Sequence, residues 1–224
     1  MVAGLLTAWL ILGSGPAGTS PAPGWVEEFR EDGVVVSSRV VAGRDLPRLR
    51  AKGTFNENMW EILAVLNDIP RHTEWMKNLS EQTTLTQRGP FDLLVYSRFA
   101  SPWPMWDRDS IMRVAVDYRR HAQEVTIKFL RTESHLMPVL PGLVRVPRLE
   151  MLAHLRYRGP KRTDILFEVD IDPGGGLPRW IVRWISKKIP VRTLRRLRQQ
   201  IEKTRGGYEE FLQKWDPAYP SGSR

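Results

Sequence analysis

The chain has 224 residues and no cysteine, which excludes disulfide scaffolds, thiol nucleophiles, thiolate metal sites and Cys-linked lipid anchors. Apolar residues make up 42% and charged residues 26%, the balance of a chain that folds around a core. The net charge of +9 is uneven: residues 1–110 hold 11 Lys/Arg against 13 Asp/Glu, and residues 111–224 hold 23 against 12. Ten of the basic residues fall within 177–205, against the single acid Glu202, a run that suits a nucleic-acid backbone, an anionic membrane or a solvated helix face.

Met1–Leu12 is apolar but too short for a span of about 20 residues. It has the length of a secretory h-region, with Gly15-Pro16-Ala17 as a small-residue exit, although no Lys or Arg precedes it. Residues 1–17 therefore read as a signal peptide and 18–24 as a flexible joint. Export to a periplasm or the exterior follows, with a cytoplasmic protein peripheral to a membrane as the alternative. Gly13-Ser14-Gly15-Pro16-Ala17-Gly18 spells GxGxxG, but it follows no strand and opens no helix, so a dinucleotide site is not expected. His72, His121, His135 and His154 are scattered with no HExxH, and neither a metal nor another cofactor is expected.

From Trp25 to Trp215 no linker or repeat interrupts the pattern, so one domain is expected, with 216–224 as a polar tail. Trp25–Glu31 reads as a short helix ended by Asp32-Gly33. Val34–Ala42 and Leu46–Phe55 read as strands. Asn58-x-x-Glu61 resembles a capping box opening a helix through Leu66, and a second short helix covers about Arg71–Met76 after the break at Pro70. Long period-two segments follow: Met112, Val114, Val116 and Tyr118; Val125, Ile127 and Phe129; Leu149, Met151, Ala153, Leu155 and Tyr157; Ile165, Phe167, Val169 and Ile171. Most of the residues between or beside them are polar, among them Arg113, Asp117, Glu124, Lys128, Glu150, His154, Arg156, Asp164 and Glu168, as in antiparallel strands with one apolar face. After Asp172-Pro173-Gly174-Gly175-Gly176 the period becomes helical, from Leu177, Trp180, Ile181 and Trp184 through Leu194, Leu197 and Ile201 to Trp215, with a kink expected at Pro190. The apolar stripe of one long helix must then lie on the sheet, giving an α+β fold.

On these residues the chain resembles the START domain family of lipid-transfer proteins. Asp68-x-x-Arg71-x-x-x-Trp75 resembles the signature after the family's first helices, and Pro102-Trp-Pro-Met-Trp-Asp-Arg108-Asp109 the approach to a central strand. Gly142-Leu143-Val144-Arg145 resembles the step after its lid loop, and Asp172-Pro173-Gly174-Gly175-Gly176-Leu177-Pro178-Arg179-Trp180 the opening of its last helix. The resemblance implies the helix-grip fold, a curved antiparallel sheet around a C-terminal helix with a lipid-sized tunnel between them. It places Val114 at the inward position where the steroidogenic member of the family has an arginine.

A lipid ligand, a monomer, and transfer between membranes without chemistry are the expectations that follow. The inward stripe of Met112, Val114, Val116, Ile127, Phe129, Leu149, Met151, Ile165 and Phe167, with Trp180, Ile181 and Trp184 of the helix, would line the tunnel. Tyr96 and Arg98 share one strand face; turned inward they would hold a polar headgroup, turned outward they are surface residues. Arg108 and Asp109 read as a structural ion pair. Leu136, Met137, Val139 and Leu140 stand at the lid and are apolar for a surface loop. Arg192, Arg195 and Arg196 would meet an anionic membrane beside that lid. The alternative is an enzyme of the polyketide cyclase or hydratase type, which would need a general acid or base from Tyr96, His154 or Glu168. No recognition motif accompanies the basic helix, so nucleic acid is not expected.

Overall fold

The computed structural model describes residues 24–89, 92–175 and 179–220, with the backbone course alone for 179–190. The leader expected at 1–17 lies outside the described residues. The described residues form ten strands, most of them built on alternating apolar residues: β1 (Val26–Glu31), β2 (Val34–Arg39), β3 (Arg48–Phe55), β4 (Leu79–Gly89), β5 (Asp92–Phe99), β6 (Asp107–Arg119), β7 (Glu124–Arg131), β8 (Leu143–Arg145), β9 (Arg148–Gly159) and β10 (Arg162–Asp172). They form one sheet in the order β1-β2-β3-β10-β9-β7-β6-β5-β4, antiparallel throughout, with β8 off this path and parallel to β6. Among the described residues there are four α-helices, α1 (Met59–Asn67), α2 (His72–Trp75), α3 (Arg179–Lys203) and α4 (Glu209–Trp215), and two short 3-10 helices, Ile69–Arg71 and Arg120–Ala122.

Local chemistry sets the boundaries. Asn58 caps α1, its Oδ1 accepting from the Trp60 amide at 2.9 Å. The helix expected over 25–31 is instead a strand. Asp32 and Gly33 both take positive φ, 51° and 73°, as a tight two-residue hairpin turn requires, so Asp-Gly joins β1 to β2 rather than ending a helix. The long terminal helix is likewise two. Gly206 has φ 79°, the chain turns at 204–207, and α4 restarts at Glu209. Pro190 falls inside the backbone run of α3.

The two ends of the sheet differ. One carries the tight connections β1–β2, β6–β7 and β9–β10 and is here termed the hairpin end. The other carries the longer connections 40–47, 100–106 and 132–142 and is termed the loop end. Helix α3 starts at the loop end, where a side chain on Gly175 would meet Arg108 and Val144, and reaches the hairpin end, where Arg195 pairs with Glu31 and Asp32. Val191, Leu194, Leu197 and Ile201 recur at helical spacing and are buried with Val34, Val36, Ala51, Phe55 and Ile165 of the sheet. Each such side chain contributes about 1.5–3 kcal/mol by leaving water.

Candidate functional site

Register decides what each strand presents. Val95 pairs with Met112 and Leu93 with Val114, and all four line a cavity of about 480 Å³ under the β4–β7 half of the sheet. On its other side stand Trp60, Leu63 and Leu66 of α1, Ile69, His72 of α2, and Tyr208, Phe211 and Trp215 at α4. Gln87, Glu210 and Lys214 are exposed, so they form its rim at the hairpin end. At the opposite end Met112 and Phe129 belong both to the cavity wall and to a second apolar cluster with Val146, Leu149, Met151, Val169 and Ile171, which continues toward the loop end.

Of the stripe expected to line a tunnel, Met112, Val114, Val116, Ile127 and Phe129 do so. Leu149, Met151, Ile165 and Phe167 share the inward face but pack into the two core clusters. The side chains of Trp180, Ile181 and Trp184 lie outside the described residues. Val114 is inward, as its position implied.

Tyr96 and Arg98 are not headgroup ligands inside the cavity. They alternate with Val95 and so take the opposite face, where Arg98 donates to Asp107 at 2.8 Å and Tyr96 lies buried beside Asp109. Burial and the neighbouring Asp109 push the Tyr96 phenol above its ordinary pKa, which suits a structural hydrogen bond rather than a base at neutral pH. Arg108 and Asp109 do not pair with each other, since adjacent strand residues point to opposite faces. Asp109 pairs with Arg145, whereas Arg108 turns inward.

Sequence reasoning missed the polar groups of the cavity. His72 Nδ1 stands 2.6 Å from Gln82 Oε1, its Nε2 stands 3.1 Å from Leu66 O, and Gln82 Nε2 donates to Ser97 Oγ at 2.9 Å. Burial pulls the His72 pKa below its ordinary value. A neutral ring carries one N–H, so with Nε2 donating to Leu66 O, Nδ1 accepts; the Gln82 amide then turns over, its Nε2 donating to Nδ1 and its Oε1 accepting from the Ser97 hydroxyl in place of the donation to Oγ. No local pattern marks this: β4 turns Gln82 and Gln87 to the cavity, so Gln82 does not stand out from its own strand.

The lid and docking residues also fall differently. Leu136, Val139 and Leu140 are exposed and Met137 half-buried in the loop 132–142, but none lines the cavity. Two further apolar side chains join them, Trp103 at 92% exposure and Trp106 at 63%. Asp107 pairs with Leu143 in the parallel β6–β8 contact, so the loops that carry these tryptophans and the lid leave the sheet side by side. Arg195 and Arg196 do not meet the lid. Arg195 is held by Glu31 and Asp32 at the hairpin end, and Arg196 donates to the Trp75 carbonyl, while Arg192 is exposed one turn earlier.

The arrangement, an antiparallel sheet gripping a C-terminal helix over an apolar cavity, is that of helix-grip ligand-binding proteins. The sequence profile of the START domain matches residues 17–205, and the chain belongs to that family, whose members bind lipids and transfer them. It is 29% identical over 189 residues to an uncharacterized protein of Pseudomonas aeruginosa, covering 84% of this chain and 92% of that one. It is 22% identical over 139 residues to the phosphatidylcholine transfer protein of Bos taurus, covering 60% of this chain and 64% of that one. The crystal structure of the STAR-related lipid transfer protein from Xanthomonas axonopodis shares the fold, with a TM-score of 0.72 at 22% identity over 80% of this chain and 99% of that one.

Proposed function

We propose that the chain carries one lipid in the space between its sheet and its helices and moves it between membranes without altering it. The observation behind this reading is the 480 Å³ cavity walled largely by apolar side chains, within the ~300–1,000 Å³ typical of small-molecule pockets. Such a cavity offsets the ~0.8 kcal/mol that each methylene costs on entering water. The three side chains named for acid–base chemistry support a carrier over an enzyme. Tyr96 is on the opposite face, as are His154, bonded to Thr126, and Glu168, paired with Arg50.

Membrane contact is assigned to the loop end, through Trp103, Trp106, Leu136, Val139 and Leu140. Tryptophan favours the interface between headgroups and chains, and this patch stands at the end where the second apolar cluster leads to the cavity. We propose export as well, from the apolar run and small-residue exit within 1–17 read as a signal peptide; N-terminal sequencing of the protein from its host tests this, and a chain still beginning at Met1 contradicts it. For the carrier reading, native mass spectrometry of protein from the same host is expected to show one bound lipid, recovered unchanged after long incubation. A chemically converted ligand would overturn the reading.

A further inference from the structure

We propose that Arg108 and Ser110, on the inward face of β6, receive an oxyanion borne by the bound lipid, a carboxylate or a phosphate. This deepens the carrier reading and rests on it.

Two buried polar atoms carry the argument. Arg108 Nε and Ser110 Oγ have no hydrogen-bond partner, although Ser110 is 0% exposed and Arg108 8%. A buried donor left unpaired is costly and rare in native proteins, and two on one patch call for a missing partner. They share a face, because Phe99, Ser97 and Val95 pair in turn with Arg108, Ser110 and Met112. Met112 lines the cavity, so Ser110 stands one inward step beyond its wall, about 7 Å along the strand.

The chemistry of the pair selects its ligand. Arg108 Nη1 donates to Ser101 Oγ at 3.1 Å and to the Trp106 carbonyl at 2.6 Å, which fixes the guanidinium and leaves its Nε edge open. Among the described residues no carboxylate comes within ion-pair distance of it. Asp107 is taken by Arg98 and Asp109 by Arg145, both on the other face. Arg108 and the Ser110 hydroxyl both donate, so the missing group accepts and is best negatively charged; the Nε–Nη2 edge reads two oxygens of one carboxylate or phosphate at once. A Cβ on Gly175 would stand 3.1 Å from Arg108 Nη2, so the glycine keeps that edge clear. Burial pulls the Arg108 pKa below its ordinary value, and an arriving anion offsets the same cost.

Placement fits an amphiphile. From Ser110 to Val116 the strand rises about 20 Å, enough for a chain that spans one leaflet, half of a ~30 Å bilayer core. The head would sit at the loop end, beside the tryptophan patch, and the chain would run past Met112 and Val114 into the cavity.

The test uses two matched pairs of fluorescent lipids: a long-chain fatty acid with its methyl ester, and phosphatidic acid with the diacylglycerol of the same chains. The wild type is expected to prefer the charged member of at least one pair by about ten-fold or more. The pair that shows the preference identifies the oxyanion. Ser110→Ala and Arg108→Lys should each cut that preference several-fold and leave the neutral members little changed. Should Arg108→Lys not fold, Ser110→Ala decides alone, and an unchanged preference overturns the site. Equal binding within both pairs overturns the site and leaves the carrier reading standing; binding of none of the four overturns both. Excess inorganic phosphate is expected not to displace the labelled lipid, and displacement would mean a site for free anions and overturn the proposal.

Discussion

Arg145 grips Asp109 through two parallel hydrogen bonds, Nε to Oδ1 at 2.7 Å and Nη2 to Oδ2 at 2.9 Å, with both side chains almost fully buried. The same Nη2 donates to the Met137 carbonyl at 3.1 Å, so one guanidinium ties the loop 132–142 to the start of β6. Removing the carboxylate would leave a buried cation without its counter-charge. Asp109→Asn is therefore expected to destabilise the fold by about 3–5 kcal/mol in urea titrations and to open the loop to protease cleavage. A loss within the ~0–1 kcal/mol of a surface ion pair would contradict the role given to this pair.

Val114 stands mid-strand in the cavity wall. Enlarging a residue in a filled core costs about 1–3 kcal/mol, but here the added ring has open space to enter. Val114→Phe should leave the unfolding midpoint nearly unchanged while lowering uptake of a fluorescent lipid about ten-fold or more, since the ring takes volume the ligand needs. Normal uptake by a folded Val114→Phe would place the ligand elsewhere.

What the sequence disclosed, and what it hid, follows from the range of the signals. Period-two alternation is a local signal in Met112–Tyr118 and Leu149–Tyr157, so the apolar inward residues of β6 and β9 are legible, whereas Arg108 and Ser110 share the inward face of β6 without the apolar character that would mark them. The Asp32-Gly33 turn was also written plainly, since Asp-Gly between two short runs is a hairpin signal. The strand before it is hidden all the same, because β1, Val26–Glu31, is mostly exposed and shows no apolar alternation. Tyr96 and Arg98 were legible as one face, but which face is set by pairing with β6, a long-range fact. His72 is a cavity residue only because α2 packs against β4, which no local pattern announces. The basic run of 177–205 gave the charge of α3 and not its partners: Arg195 finds acids from a hairpin 163 and 164 residues away in the chain.

Trp103 and Trp106 give a prediction that separates apolar insertion from charge-driven docking. Both side chains are largely in water, so Trp103→Ala with Trp106→Ala should change stability by no more than about 0.5 kcal/mol per site. Binding to vesicles in a sedimentation assay should nevertheless fall several-fold, and it should depend little on salt. Arg195→Ala is expected to spare vesicle binding and to loosen the β1–β2 hairpin by about 0.2–1 kcal/mol, the range of an exposed ion pair. Vesicle binding abolished by salt and untouched by the tryptophan changes would return the docking role to the arginines.

His72 and Glu74 place two separate losses of stability on the acid side. Burial holds the folded-state pKa of His72 below its ordinary 6.5, so the unfolded chain binds this proton more readily than the folded one. The contribution is whole above pH 6.5 and falls as the pH drops from there, until the ring is protonated in both states. Glu74 behaves differently. Hydrogen bonds from Arg71, then Lys203 and Gln200, hold its carboxylate well below the ordinary 4.5, so its contribution is present above pH 4.5 and is lost only as the pH falls toward the folded value. Thermal unfolding followed against pH should accordingly show a decline beginning near pH 6.5 and a second below about 4.5. His72→Gln keeps an amide donor for the Leu66 carbonyl and carries no titrating group, so it should flatten the first decline and leave the second. A His72→Gln curve parallel to the wild type between about pH 5 and 6.5 would show that the first decline, if present, belongs to another group.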